Sequence, residues 1–117
     1  MSACGGSLPR APAEDAASGQ QREGRALYGD HCRGCHDGAG GSGAVLSPRL
    51  LASHFDAGSL YAYIELAMPY DDPGSLGPAA YWAITAYLIS DRGLARLTEP
   101  LAEGSASAIR LRVRPDG

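Results

Sequence analysis

The sequence has no lysine, one tryptophan and one phenylalanine, and no apolar run near the about 20 residues that a membrane-spanning helix needs. All ten of its basic residues are arginine, and the formal net charge is −3. The composition therefore gives no reason to expect nucleic-acid binding through a basic field. With 117 residues the chain is long enough for one small domain. With one tryptophan and one phenylalanine, the six tyrosines and the aliphatic residues must do most of the packing, and a large apolar ligand would help to complete the core.

The charges are distributed unevenly along the chain. No basic residue lies between Leu50 and Asp91, whereas several arginines precede this segment. The acidic residues of the segment are Asp56, Glu65, Asp71, Asp72 and Asp91, and the arginines before it are Arg22, Arg25, Arg33 and Arg49. If these segments lie apart in space, the molecule has an acidic and a more basic end, which would orient a charged partner. A solvated acidic surface explains the same pattern equally well.

The chain has three cysteines, an odd number. The spacing of Cys32 and Cys35 makes them a natural pair, which leaves Cys4 without a partner in the sequence pattern. Residues 1–18 are rich in Ala, Gly, Pro and Ser, so we expect a flexible leader or tether. The letters SACGG around Cys4 resemble the small-residue site of bacterial lipoproteins. Two interpretations stay open: Cys4 is a lipid attachment point exposed by removal of a signal segment, or it is an incidental cysteine in the leader.

Helical periodicity predicts an all-α domain over residues 19–99. A first helix capped by Ser18 should end at the turn that contains the cysteines, and a second helix of about ten residues should be capped by Ser59. The strongest pattern predicts a last helix that begins at Pro78 and stops at Gly93. Residues 100–117 are assigned to a C-terminal tail, whose end alternates apolar residues with arginines in a strand-like period of two.

The stretch HCRGCH, residues 31–36, contains ligands suited to three different chemistries. A structural zinc site usually takes four ligands from two short pairs, and the rest of the chain offers no second pair. A thioredoxin-type disulfide expects a βαβ pattern, whereas this chain predicts helices separated by Gly/Pro loops. Covalent haem attachment requires two thiols three positions apart and a histidine directly after the second. Cys32, Cys35 and His36 meet that requirement, so the sequence favours haem.

Further short motifs make residues 20–92 resemble the class I monohaem c-type cytochromes. These motifs are GRALY at 24–28, CRGCH at 32–36, SPRL at 47–50, AMP at 67–69 and AITAYL at 83–88. The resemblance implies a small cytochrome c-like helical fold around one covalently bound haem c. The loop MPYDDPGSLGPAAYW at 68–82 is also similar to that of cytochrome subunits accompanying bacterial dehydrogenases, including those of sulfur-compound oxidation.

The same resemblance implies how the haem is held. Cys32 and Cys35 would form the thioethers, His36 would be the proximal iron ligand and Met68 the distal ligand. Met68 follows His36 after a short interval and directly precedes a proline, where a loop can turn its thioether towards the iron. His54 is the competing distal ligand, and it would lower the reduction potential relative to methionine.

Other positions of the chain match supporting residues of these cytochromes. Pro48 matches the proline whose carbonyl accepts the Nδ1 proton of the proximal histidine. Arg49 and Tyr61 are candidates for binding the haem propionates. On the first helix, Gly24 and Tyr28 match the positions that cross the last helix.

With both axial positions filled, the haem has no open site for chemistry on a bound substrate, so the resemblance implies single-electron transfer rather than an enzyme. We expect an electron acceptor or carrier for a periplasmic dehydrogenase or respiratory chain, periplasmic or lipid-anchored through Cys4. Without lysine, docking to redox partners should depend on apolar contact, the arginines or the acidic segment. A haem enzyme or ligand sensor, with His54 in an open distal pocket, is the alternative. A tethered interaction module with a structural haem is a third possibility.

Overall fold

A computed structural model describes residues 12–37 and 43–114, and the regular elements in these ranges are all helices, as predicted. They are α1 (Pro12–His31), α2 (Arg33–His36), α3 (Pro48–Ala52), α4 (Ala57–Ala67), α5 (Pro78–Asp91) and α6 (Glu103–Ala106). Within the same ranges, no helix has both the length and the apolar character required to span a membrane.

Helix α1 begins at Pro12 and therefore includes the predicted cap, Ser18. A proline at the start and two acidic residues in the first turn favour a helix N-terminus here. In the second turn, the buried side chain of Ala17 packs against the protein. The last part of the predicted leader thus belongs to the helix. Residues 1–11, with Cys4, lie outside the described residues.

Helices α1 and α5 cross at Gly24. A Cβ atom at this position would lie 1.8 Å from the carbonyl oxygen of Ala83 and 2.8 Å from Cβ of Tyr87, so only glycine permits the approach. One turn further on, the rings of Tyr28 and Tyr87 contact each other with centroids 5.5 Å apart. The crossing expected from the resemblance is therefore present. Because it fixes the position of α1, it also fixes where the cysteine turn at residues 32–36 begins.

Helix α4 starts at a different cap from the one predicted. Asp56, rather than Ser59, is the N-cap, and its Oδ1 accepts a hydrogen bond of 2.8 Å from the backbone N–H of Ser59. Asp56 has the extended backbone that lets its side chain turn back onto the helix, whereas Ser59 is already helical. At the other end of α4, Met68 follows the last helical residue with an extended backbone.

Helix α5 is the central helix of the protein. It begins at Pro78 as predicted, and Gly93 follows its end with φ of 66°, the left-handed conformation that terminates helices. Seven of its side chains are buried: Tyr81, Ala83, Ile84, Thr85, Ala86, Leu88 and Ile89. Because these side chains pack on several sides, the helix has a fixed position in the protein. The residues at its two ends are therefore also held in place.

The predicted C-terminal tail folds onto the core as far as residue 114. The side-chain amide of Gln20 on α1 makes two hydrogen bonds with the backbone of Leu101, at 3.1 and 2.8 Å. Leu101 and Leu111 are both buried. The alternating pattern forms one isolated antiparallel bridge, between Asp56 and Arg110, because its backbone pairs with a turn and not with a strand.

Candidate haem site

A largely apolar cavity of about 1050 Å³ lies between the end of α1, the short helices α2 and α3, and the long helices α4 and α5. Small-molecule sites typically measure about 300–1,000 Å³, so this cavity has room for a large ligand. Its wall includes several members of the hydrophobic core: Leu51, Leu60, Ile64, Ile84 and Leu88. The cavity therefore opens directly into the core of the protein.

The cysteine turn lies on the wall of this cavity. The backbone N–H of His36 donates to the carbonyl of Cys32 at 3.1 Å, which folds the motif into one helical turn with Cys32, Cys35 and His36 all lining the cavity. Both thiols are free. Burial, with smaller effects of Asp37 and Cys35, raises the pKa of the Cys32 thiol to about 11. A thiol with such a pKa is protonated at neutral pH, unlike the reactive thiolates of disulfide-exchange proteins.

The imidazole of His36 is oriented by a backbone carbonyl. Its Nδ1 lies 2.7 Å from the carbonyl oxygen of Ala44. Because a carbonyl only accepts, Nδ1 carries a proton, and in the neutral ring this leaves the lone pair on Nε2. Gly43 makes room for this contact, since a Cβ there would lie 2.8 Å from Nδ1. The predicted acceptor, the carbonyl of Pro48, was wrong. Pro48 is the first residue of α3, where carbonyls point along the helix axis.

Two candidate distal ligands line the same cavity. Met68 is half-buried at the end of α4, and its carbonyl oxygen accepts a hydrogen bond of 2.6 Å from the hydroxyl of Tyr81. His54 is also half-buried, with its ring 5.0 Å from the ring of Tyr63. His31 lines the cavity too, although its side chain is exposed. The structure thus places methionine and histidine within one cavity.

A polar network beside the cavity fixes the segments that flank His36. The hydroxyl of Tyr28 donates to Oδ1 of Asp37 at 2.8 Å, and burial together with this bond raises the pKa of Tyr28. Nε of Arg92 donates to the carbonyl of Leu46 at 3.1 Å, while its Nη1 forms an ion pair of 2.6 Å with Asp91. These contacts connect α1 to Asp37, directly after His36, and the end of α5 to Leu46, on the segment that follows.

The predicted propionate residues are not among the described residues that line the cavity. Arg49 is exposed at the start of α3. The ring of Tyr61 stacks on that of Trp82 with centroids 3.6 Å apart, and its hydroxyl donates to Glu65 at 3.0 Å. Burial and this hydrogen bond raise the pKa of Tyr61 to about 12. The roles assigned to Arg49 and Tyr61 stay predictions.

Four residues that the sequence did not indicate also contribute to the site: Gly43, Ala44, Tyr81 and Arg92. The glycine run after the motif gave a weak signal for Gly43, because close backbone approach requires glycine. Ala44 acts through its backbone and leaves no signal in the side chain. The phenol of Tyr81 could have been suspected, since a buried tyrosine hydroxyl normally has a partner.

The family model described as "Cytochrome C oxidase, cbb3-type, subunit III" matches residues 19–88. The matched stretch runs from α1 to within the last turn of α5 and contains both cysteines of the motif, His36, His54 and Met68. No curated protein and no solved structure matches the chain.

Proposed function

Because the chain belongs to the family of the cytochrome C oxidase, cbb3-type, subunit III, we propose that it transfers single electrons. The cytochrome c domain of this family holds a covalently bound haem c. We assign His36 and Met68 as the axial ligands of its iron. The observation that carries this proposal is the contact of 2.7 Å between His36 Nδ1 and Ala44. This contact leaves the Nε2 lone pair of the neutral imidazole available to a metal ion, on the wall of a cavity that Met68 also lines.

The residues present fit a haem. The cavity is large and mostly apolar, two free thiols stand three positions apart on its wall, and a histidine in the metal-binding tautomer follows the second thiol. Bound haem supplies a one-electron couple between ferric and ferrous iron. Cys32 and Cys35 tether the group, and the thioether of Met68, a soft ligand, favours the ferrous state and raises the potential.

The surface near the cavity supports transfer to another protein. Leu50, Tyr63 and Tyr70 line the cavity and are exposed, Tyr70 to 87 %. Asp71, also exposed, lies beside them and belongs to the acidic segment. An apolar mouth with acidic neighbours fits a redox partner with a basic surface, such as a dehydrogenase, an oxidase or another cytochrome. We propose that this exchange takes place in the periplasm; a lipid tether at Cys4 stays a prediction.

The ligand assignment is tested by ferric optical spectra of the haem-loaded wild type, Met68→Ala and His54→Ala. A sulfur–iron(III) bond gives a weak charge-transfer band in the far red. We expect this band in the wild type and in His54→Ala, and its loss in Met68→Ala. A band that is absent from the wild type, or that disappears only in His54→Ala, contradicts Met68 as ligand.

A second candidate function is a haem enzyme or small-ligand sensor. It is favoured by one observation, the presence of His54 on the cavity wall, where a proton-handling group could act on a bound ligand. This function requires a distal site that opens easily. Micromolar cyanide or carbon monoxide displacing the distal ligand of the wild type would support it.

A further inference from the structure

The hydroxyl of Tyr81 joins the two ends of the loop that begins with Met68. Tyr81 lies in the first turn of α5 and is fully buried, with 0 % of its surface exposed. Its hydroxyl donates to the carbonyl oxygen of Met68 at 2.6 Å and accepts from the backbone N–H of Leu76 at 3.4 Å. One phenol therefore contacts both ends of the loop 68–76.

The position of the Met68 backbone depends on few other contacts. Its N–H donates to the carbonyl of Ile64 at 2.8 Å, continuing the last turn of α4, and its carbonyl also accepts a long hydrogen bond of 3.4 Å from Gly74. The methionine side chain has three rotatable bonds and adapts easily. How firmly its sulfur stays in one place thus depends on how firmly its peptide unit is held.

Tyr81 is itself well fixed. Its backbone N–H donates to Gly77 at 3.1 Å, and its carbonyl accepts from the hydroxyl of Thr85, a fully buried residue, at 2.7 Å. The ring of Tyr81 is not on the cavity wall, so its hydroxyl has no direct access to a group bound there. The hydrogen bond from its hydroxyl can therefore influence that group only through Met68.

We propose that Tyr81 is a positioning residue for the distal ligand: its hydroxyl holds the Met68 carbonyl and thereby limits how readily the thioether leaves the iron. This inference rests on the proposed function, since it requires Met68 as ligand. A net hydrogen bond contributes about 0.5–1.5 kcal/mol, which corresponds to about two- to tenfold in an equilibrium constant. Loss of the hydroxyl should therefore ease replacement of methionine by that factor.

The test is imidazole binding to the ferric, haem-loaded protein, followed by the shift of the Soret band, which is present in every variant; loss of the far-red band is a second readout where Met68 is retained. We expect Tyr81→Phe to bind imidazole about two- to tenfold more tightly than the wild type. The matched control is Tyr87→Phe, on the same helix and outside the cavity wall, which should bind like the wild type. Thermal unfolding checks that both near-isosteric variants are folded.

A double-mutant cycle separates positioning from general loosening of the fold. In a Met68→Ala background, addition of Tyr81→Phe should leave imidazole affinity unchanged, because the ligand that Tyr81 positions is missing. An equal increase in both backgrounds, or wild-type affinity for Tyr81→Phe, overturns the inference. If the wild type lacks the far-red band, the assignment of Met68 as ligand is wrong, and so is this inference. If the band is present, the double-mutant cycle tests the positioning role of Tyr81 independently of that assignment.

Discussion

At the scale of single residues, the lack of a side chain at Gly24 determines whether α1 and α5 can cross closely. The Cβ of any other residue would meet the backbone of Ala83, which lies on a buried helix and has little freedom to move. The crossing of α1 and α5 therefore depends on this glycine, and with it the position of the cysteine turn that follows on the chain.

Gly24→Ala should lower the free energy of unfolding by about 3 kcal/mol or more, because the added methyl group overpacks a rigid contact. The measurement is urea unfolding of the haem-loaded protein. Gly29→Ala on the same helix is the control: its Cβ would have no neighbour closer than 3.9 Å, from the side chain of Arg33. It should be neutral or stabilising by up to about 1 kcal/mol. Equal effects of the two changes would contradict this account.

The residues of the site differ in how far the sequence reveals them. The sequence singles out Cys32, Cys35 and His36 because covalent attachment and ligation would fix both residue type and spacing. The acceptor for His36 was placed at Pro48, since a backbone carbonyl has the same chemistry at every position. Only the fold selects Ala44, by bringing the segment after the glycine run against the imidazole.

At the scale of elements, helix α5 serves both sides of the cavity. Tyr81 in its first turn holds the segment of Met68, and Arg92, directly after its end, holds the carbonyl of Leu46, two residues beyond the acceptor of His36. The helix itself was predictable from its apolar pattern, Pro78 and Gly93. The partners of its polar ends were not, because they lie 46 and 13 positions away in the sequence.

The C-terminal segment is a second element whose place the sequence left open. Its period of two is strand-like, and the sequence predicts a C-terminal tail. Long-range backbone contacts decide its conformation instead: Leu111 donates to Phe55 at 2.7 Å, and Arg112 donates to Leu94 at 2.9 Å. Such pairings between distant segments leave little trace in local periodicity. We therefore count residues 101–114 as part of the folded unit.

Leu111→Ala should lower the free energy of unfolding by about 2–5 kcal/mol, the usual cost of a cavity at a buried leucine. Leu111 is 4 % exposed, whereas Val113, two positions later, is 43 % exposed. Val113→Ala is therefore the matched control and should change stability by no more than about 0.5 kcal/mol. Chemical denaturation of both variants decides; similar small losses would mean that the segment is not part of the cooperative unit.

At the scale of the whole molecule, the structure shows where part of the acidic segment of the sequence lies. Asp71 and Asp72 are exposed in the loop after Met68, next to the apolar mouth of the cavity. Because no basic residue belongs to the segment between Leu50 and Asp91, the field near this loop should be negative and attract cationic reactants.

Asp71→Asn with Asp72→Asn should slow electron transfer from the cation hexaammineruthenium(II) to the oxidised, haem-loaded protein about two- to tenfold at low salt, since part of the steering field is removed. The effect should shrink as salt is added. Asp15→Asn with Glu23→Gln makes the same change of charge on exposed positions of α1 and should have little effect. Stopped-flow rates that fall equally in both double variants would assign the effect to net charge alone.

The cavity wall is continuous with the hydrophobic core, and this affects the stability of the polypeptide before haem is attached. Leu60, Ile84 and Leu88 belong to both the cavity wall and the core. Leu50, Tyr63 and Tyr70 line the same cavity and are exposed, so a haem bound there would cover apolar surface that otherwise faces water. Before attachment, the exposed part of the wall stays in contact with water, and the folded form lacks the stabilisation that a ligand bound only by the native state supplies. A chain that misses its haem is then open to proteases, and the attachment step determines which copies of the protein survive.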